Sequence, residues 1–311
     1  MSTDTATASA AGVSLRQTRA RHGERVIKLV LVLAALVSVL TTFGIVISIL
    51  VPSIEFFTQV SIAEFLFGTV WTPLFADPQY GVLPLVTGTL VITGIAVLIA
   101  IPLGLGAAIY LSEYASDRAR RTIKPVLEVL AGIPTVVFGF FALEFLTQMV
   151  LVKIWPQIEI FNALSAGIIM GIMIIPTIAS LSEDAMSAVP SGMRDGAYAL
   201  GSTRRQTAMN VVVPAALSGI VAAFVLGISR ALGETMIVTI AAGLQPTLSL
   251  NPLVGMQTMT SYIAAAGSGD LATGSIEYKS IFAVGLLLFI ITFCMNFISI
   301  KLVRRFRQVY Q

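Results

Sequence analysis

Charged residues are scarce in this chain. Lysine, arginine, aspartate and glutamate together make up 11% of its 311 residues, whereas a soluble domain carries roughly 25%. Apolar residues make up 56% of the chain. So few charges cannot cover the surface of an ordinary soluble domain, and the composition therefore indicates an integral membrane protein.

Cysteine and histidine are almost absent. The one cysteine, Cys294, lies in an apolar run, and the one histidine, His22, lies in the polar N-terminal region. These counts exclude a disulfide framework and disfavour a metal or haem site built from His and Cys. The sequence also has no G-x4-G-K-[ST] phosphate-binding loop. We therefore predict no cofactor in this chain, and no ATPase site of its own.

Long apolar runs are what the sequence has in abundance. A helix needs about 20 apolar residues to cross a bilayer, and six runs reach or approach that length. The predicted spans are residues 26–50, 82–111, 125–151, 161–181, 214–243 and 280–303. The predicted fold class is an all-α integral membrane protein with six transmembrane helices. Residues 1–23, rich in Ser, Thr and Ala, are predicted to form a disordered cytoplasmic tail.

The basic residues lie almost entirely on one side of these spans. Of the 19 lysines and arginines, 16 precede, follow or connect spans on one face, two lie on the other face, and Arg230 lies inside a span. By the positive-inside rule, both termini are predicted to be cytoplasmic. The excess of basic residues therefore reflects topology, and nucleic-acid binding is not expected.

An arginine and a glutamate lie four residues apart inside the fifth predicted span, in Gly227-Ile-Ser-Arg230-Ala-Leu-Gly-Glu234-Thr-Met. A charge at the bilayer centre costs about 2.5–3.5 kcal/mol. Residues at i and i+4 share one helix face, so Arg230 and Glu234 are predicted to face a pathway or a partner helix rather than lipid.

Two interpretations of this pair are open. In the first, Arg230 binds an oxyanion in transit and Glu234 neutralises it while the pathway is empty. In the second, the pair is a structural salt bridge that fixes helix packing. We favour the first. A further intramembrane carboxylate, Glu144, lies towards the outer end of the third predicted span, and we interpret it as a side chain that reaches the membrane surface rather than a pathway residue.

The loop between the fourth and fifth spans, about residues 186–213, is long and patterned. Glycine at position 201 and apolar side chains around it predict a short amphipathic helix, a turn and a second helix on the cytoplasmic side. Such a helix either docks in a groove of another protein or lies on lipid headgroups.

The spacing within this loop resembles a family motif. Asp195-Gly196-Ala197, three residues, Gly201, nine residues, Val211, one residue and Val213-Pro214 resemble the E-A-A, x3, G, x9, I, x, L-P loop of ABC importer permeases, with conservative replacements. The resemblance implies a type I ABC importer permease fold for residues 24–311. In that family the loop forms a coupling helix in a cleft of the cytoplasmic ATPase, so Asp195, Gly196, Ala197 and Gly201 would make the ATPase contact.

Other segments resemble the phosphate importer permeases of the PstC family. They are Phe56-Phe57, Glu64-Phe-Leu-Phe-Gly68, Trp71-x-Pro73-Leu-Phe75, Gly81-Val-Leu-Pro84-Leu, Leu130-Ala-Gly132-Ile-Pro134-x-Val-Val-Phe138-Gly139-Phe-Phe, Ser229-Arg230-Ala-Leu-Gly233-Glu234-Thr-Met236, Thr258-Met-Thr260-x-Tyr-Ile263 and Asn296. Sulfate and molybdate permeases also carry Arg-Ala-x-Gly-Glu, usually followed by Phe-Gly, so Thr235-Met236 favours phosphate.

The resemblance implies a multi-pass plasma-membrane permease subunit of an ATP-driven phosphate importer. The implied partners are a PstA-like second permease, two copies of a PstB-like ATP-binding subunit that binds ATP, and an extracytoplasmic PstS-like phosphate-binding protein. A sulfate or molybdate permease is the alternative within the family. A channel or an ion-driven transporter is the alternative outside it.

Overall fold

The computed structural model of the protein describes residues 22–306, with side chains described for residues 24–301. This part of the chain is helical, and its only β-type pairing is an isolated antiparallel bridge between Trp71 and Tyr80. The α-helices are α1 His22–Phe57, α2 Ile62–Phe67, α3 Leu83–Ile109, α4 Asp117–Ala131, α5 Thr135–Phe140, α6 Val152–Ile154, α7 Ala163–Ser187, α8 Ser191–Ala199, α9 Arg204–Thr207, α10 Val213–Ala215, α11 Leu217–Leu232, α12 Met259–Gly267 and α13 Ile276–Phe306.

Four stretches of π-helix adjoin these α-helices: Tyr110–Tyr114, Phe141–Leu151, Ala208–Val212 and Val238–Ala242. A π-helical turn takes one more residue than an α-helical turn and shifts the direction of the side chains that follow. Such turns are often found at functional sites. Two of the four stretches lie next to features predicted from the sequence. These features are the loop of about residues 186–213, called the coupling loop below, and the segment with Arg230 and Glu234.

In the described part of the chain, five helical segments are long and apolar enough to cross a membrane: Glu24–Phe57, Leu83–Tyr114, Thr135–Ile154, Ala163–Ser187 and Ile276–Lys301. A sixth arises if Arg204–Ala215 and Leu217–Leu232, which meet at an angle of 72°, form one broken span. The all-α membrane fold predicted from the sequence is confirmed.

The contacts divide the chain into two units, residues up to Ser48 and residues from Ile49 onwards. The described part of the first unit is the N-terminal portion of α1, and nearly all its side chains are exposed and apolar. An apolar helix without a polar face suits contact with lipid. The tail predicted for residues 1–23 lies outside the described residues, except that its last two residues begin α1.

The core of the second unit is formed by α3, α7 and α11, which pack through small residues. An added Cβ on Gly104 would lie 2.8 Å from Ile178, and one on Gly227 would lie 3.0 Å from the same side chain. Glycine at these positions therefore lets three helix backbones approach closely, which is how helices pack when lipid offers no hydrophobic driving force. This close contact brings the α11 segment with Arg230 against α7.

The third predicted span, 125–151, is wrong at its start. Residues up to Ala131 belong to α4, which is amphipathic, carries six charged residues between Asp117 and Glu128, and has no buried residue. The chain then breaks at Gly132-Ile-Pro134, because proline disfavours a helical conformation in the residue before it. The apolar span runs from Thr135 to Ile154, and Glu144 therefore lies at its middle rather than near its outer end.

The fifth predicted span, 214–243, is not one continuous helix. It bends at Ala216, two residues after Pro214, and α11 ends at Leu232 with Gly233 as its C-cap. A second helical segment follows and ends at Gly243, whose φ of +84° suits glycine. The break between Leu232 and this second segment falls inside the Arg230–Glu234 pair.

Candidate functional site

Arg230 lies in the last turn of α11, beside α7. Its Nη1 donates a hydrogen bond of 2.8 Å to Oγ1 of Thr177, the residue after Pro176 in α7. The arginine is half-buried. This is the only hydrogen bond of the Arg230 guanidinium to the described residues, and their salt bridges do not include it. Because a guanidinium has five N–H donors, most of them remain available to a ligand.

Glu234 lies beyond the end of α11, and its carboxylate points back onto the chain. Its Oε1 accepts hydrogen bonds from the backbone N–H of Met236 at 3.1 Å and of Ile237 at 3.3 Å. The carboxylate thus caps the start of the next helical segment, where unsatisfied N–H groups attract an acceptor. Glu234 is buried, with 9% of its surface exposed.

The structure therefore corrects the geometry predicted for the pair. Arg230 and Glu234 do not share one helix face, because the helix ends at Leu232 and Glu234 serves the segment after the break. The two side chains form no salt bridge within the described part of the chain. Glycine at position 233 weakens the helix there. The Glu234 carboxylate then accepts hydrogen bonds from N–H groups that a continuous helix would have bonded to backbone carbonyls.

Hydroxyl groups surround the break. A small gap beside Glu234 is lined in part by hydroxyl side chains from α3 and from the segment that begins α12, namely Thr89, Thr93, Thr258 and Thr260, and in part by apolar residues. Thr260 donates a 2.7 Å hydrogen bond to the backbone carbonyl of Glu234, and Ser229 donates to Oδ1 of Asn296 in α13 at 3.2 Å. Segments from α3, from the end of α11 and from the start of α12 thus meet beside Glu234.

The coupling loop has the predicted shape. It contains the short helix α8, a turn at Gly201 with φ +82°, and α9, which begins with a capping box between Thr203 and Gln206. Asp195, Gly196 and Gly201 are exposed, whereas Ala197 is buried against the rest of the chain. Leu200, an apolar residue of the same turn, is 90% exposed.

Arg194 attaches this loop to the ends of two spans, a role that the sequence did not reveal. Its guanidinium donates to Oε1 of Glu113 at 3.0 Å, to the carbonyl of Met186 at 2.8 Å and to the carbonyl of Val189 at 2.7 Å. Glu113 ends the helix that contains α3, and Met186 lies at the end of α7. The neighbouring Asp195 drew attention to the motif, but only folding brings Glu113 to Arg194.

A second polar cluster lies at the same end of α7. Glu183 is completely buried and forms salt bridges with Arg120 and Lys124 of α4, the latter at 2.7 Å. Lys124 also reaches Asp184 at 2.6 Å. These hydrogen bonds, to Asp184 first and then to Glu183, raise the pKa of the Lys124 ammonium above its ordinary 10.5. The sequence offered a weak signal, since two acidic residues follow the end of an apolar run.

The architecture defines a multi-pass membrane protein with a broken polar helix inside the membrane and a patterned loop outside it, which are features of a transport subunit. The family described as binding-protein-dependent transport system inner membrane component matches residues 100–308. This chain belongs to that family and is a permease subunit of an ATP-driven importer.

Curated relatives cover most of the chain. The probable ABC transporter permease protein YqgH of Bacillus subtilis (strain 168) is 36% identical over 89% of this chain and 88% of its own length. The phosphate transport system permease protein PstC of Haemophilus influenzae is 32% identical over 92% of this chain and 94% of its own length. PstC 1 of Mycobacterium tuberculosis is 35% identical over 76% of this chain and 77% of its own.

Solved structures agree in fold. A bacterial alginate ABC transporter in complex with an alginate-bound periplasmic protein contains a chain with a TM-score of 0.62, at 17% identity over 92% of this chain and 98% of that one. The inward-facing methionine transporter MetNI gives a TM-score of 0.54, at 21% identity over 73% of this chain and 95% of that one. At these identities the likeness concerns the fold alone.

Proposed function

We propose that the chain is one of two permease subunits of a phosphate importer, with Arg230 as the group that binds phosphate during its passage. The observation that carries the proposal is the state of Arg230. Among the described residues, this intramembrane cation has a single neutral hydrogen-bond partner, Thr177, and most of its donors are unused. Guanidinium donors match phosphate oxygens in geometry and charge, and their strength rises in a low-dielectric pathway. Several relatives are named phosphate permeases.

Glu234 is the second proposed pathway residue, with a role that differs from simple neutralisation. Its carboxylate is held by the N–H groups of Met236 and Ile237, so it maintains the break that leaves Arg230 at the end of a helix. Its negative charge in the same region also disfavours prolonged residence of an anion, which transport requires. Phosphate thus binds where a permanent cation attracts it and a fixed anion limits its affinity.

The energy for transport comes, in this proposal, from partner subunits. The chain has no phosphate-binding loop of its own, so ATP is bound and hydrolysed by two copies of a PstB-like subunit. Asp195, Gly196, Gly201 and the exposed Leu200 face that ATPase, and the loop transmits its closure to the spans. A PstA-like second permease completes the pathway, and a PstS-like protein delivers phosphate from the outside.

The test is phosphate uptake into cells that lack this chain. Wild type restores uptake, and Arg230→Ala lowers it at least about 30-fold, because losing a buried charged partner typically costs 2 kcal/mol or more. Arg121→Ala, which removes an exposed arginine of α4, is the matched control and stays within about twofold. Sulfate and molybdate uptake are measured in parallel. Wild-type uptake by Arg230→Ala would reject the site, and dependence of sulfate uptake alone on the chain would reject the substrate.

A further inference from the structure

Glu144 is a carboxylate at the centre of a membrane span. It is the tenth of the 20 residues of Thr135–Ile154, with nine residues before it and ten after it. At 1.5 Å per residue, it lies about 15 Å from either end of the span. Because glutamate has only two methylene groups, its carboxylate cannot reach the membrane surface from that depth as a long lysine or arginine side chain can.

The carboxylate is exposed on the outside of this chain. Among the described residues, its one hydrogen-bond partner is Gln148, whose Nε2 donates to Oε2 at 3.1 Å, and it takes part in no salt bridge. An exposed carboxylate at mid-bilayer is costly in lipid. Something other than lipid must therefore cover this position in the functional membrane protein.

The surroundings of Glu144 indicate what covers it. Phe141 and Phe145, whose rings stack with centroids 4.8 Å apart, are exposed beside it, and so are Phe140 and Met149. A water-filled channel does not suit such an apolar aromatic surface, whereas aromatic residues and methionine are enriched at the centres of protein interfaces. A carboxylate in the middle of such an interface requires a cation or a strong donor opposite it.

We propose that the face formed by Phe141, Glu144, Phe145 and Gln148 binds the second permease subunit, which presents an arginine or lysine side chain to Glu144 inside the membrane. The proposal rests on the two-permease core described above. Gln148 orients the carboxylate, and the flanking rings exclude water and lipid from the ion pair. An intramembrane charge pair of this kind specifies which helices meet and in what register, because any other alignment leaves both charges unpaired.

The first test is the replacement Glu144→Leu, measured as the fraction of an affinity-tagged second permease that co-purifies with this chain. If Glu144 faced lipid, leucine would favour the membrane and leave assembly unchanged. If Glu144 pairs with a cation of the partner, leucine leaves that cation buried without an anion. The co-purified fraction then falls at least about tenfold. Glu128→Leu, the same change at an exposed carboxylate of α4, is the control and assembles as wild type.

A second test does not depend on the substitution being tolerated. A photo-reactive benzophenone amino acid at position 145 is expected to give an adduct with the second permease, while the same group at Leu98 of α3, which is 76% exposed, is not. A thiol probe adds a third outcome. With the native Cys294 replaced by serine, Glu144→Cys should resist a membrane-impermeant thiol reagent in the assembled complex.

Three results would overturn the inference: normal assembly of Glu144→Leu, an adduct with lipid alone at position 145, or rapid labelling of Glu144→Cys, which would place the residue in a water-filled pathway. Failure of the proposed function is distinguishable. If the wild-type chain co-purifies with no second permease, or does not transport phosphate, the two-permease importer itself is rejected, whatever Glu144 does.

Discussion

Two arginines of this protein are held in opposite ways. Arg194, within α8, donates to the carboxylate of Glu113 and to the backbone carbonyls of Met186 and Val189. Arg230, inside the membrane, donates to one hydroxyl of the described residues, that of Thr177. An arginine that uses four of its five donors within its own chain holds structure together, whereas one with most of its donors free can bind a ligand.

The difference is sharper because water is plentiful in one region and scarce in the other. Near the ends of α4 and α7, solvent could satisfy a cation, yet Arg194, Arg120 and Lys124 all have carboxylate partners. Within the spans, where an unsatisfied cation costs most, Arg230 has no carboxylate partner among the described residues. The proposed role of Arg230 in transport would account for this difference.

The first prediction removes the cations of the structural cluster. The double variant Arg120→Met, Lys124→Met leaves Glu183, which is fully buried, without a charged partner. We expect the free energy of unfolding to fall by about 3 kcal/mol, because an uncompensated buried charge is among the costliest defects. The measurement is thermal unfolding of the detergent-solubilised complex. Arg230→Met is the control and should lose transport but little stability. If both variants lost the same stability, the two regions would not differ in the way described.

The second prediction concerns the attachment of the coupling loop. Arg194→Lys keeps the charge but cannot make the same set of directed hydrogen bonds to Glu113, Met186 and Val189. We expect a loss of about 2 kcal/mol in the local stability of α8, since buried carbonyls lose their donor. Hydrogen exchange of residues 191–201 measures it. Arg205→Lys, at an exposed position of α9, should leave exchange as in wild type, and unchanged exchange in Arg194→Lys would contradict the attachment.

The third prediction tests whether Thr177 positions Arg230. Thr177→Val keeps the shape of the side chain and removes the hydroxyl that accepts the 2.8 Å hydrogen bond. We expect KM for phosphate uptake to rise about fivefold, in line with roughly 1 kcal/mol for one hydrogen bond, with little change in the amount of protein in the membrane. Thr177→Ser should restore wild-type uptake. If valine and serine behave alike, the hydroxyl does not position the arginine.

The smallest predicted effect is a dependence on alkaline pH. Hydrogen bonds to Asp184 and Glu183 raise the pKa of Lys124 in the folded state above 10.5, its ordinary value in an unfolded chain. The resulting stabilisation is complete below pH 10.5 and is lost as pH rises through the folded-state pKa. Unfolding curves recorded across that range should fall more steeply for wild type than for Lys124→Met. Identical slopes would show that Lys124 contributes no such stabilisation.

Periodicity and composition predicted the helical membrane fold and most of the spans, because an apolar run of sufficient length leaves a chain few alternatives in lipid. They failed where polar and apolar residues mix. The second half of α4, from residue 125, was predicted to begin a span, and residues 214–243 were predicted to form one helix. Pro134, Pro214 and Gly233 lie at or near these breaks and are visible in the sequence, but single helix breakers are also tolerated within membrane helices, so their effect depended on packing.

The sequence by itself determined the class of protein and the coupling-loop pattern. It also identified Arg230 and Glu234 as ionisable residues within an otherwise apolar segment. Their geometry was decided only by the tertiary structure. Contacts among α3, α7 and α11 placed Thr177 against Arg230, and the break after Leu232 gave Glu234 two backbone amides instead of the arginine. Local sequence specifies which polar groups need hydrogen-bond partners. Which partners they find depends on residues tens of positions away, and only the folded chain brings these within hydrogen-bonding distance.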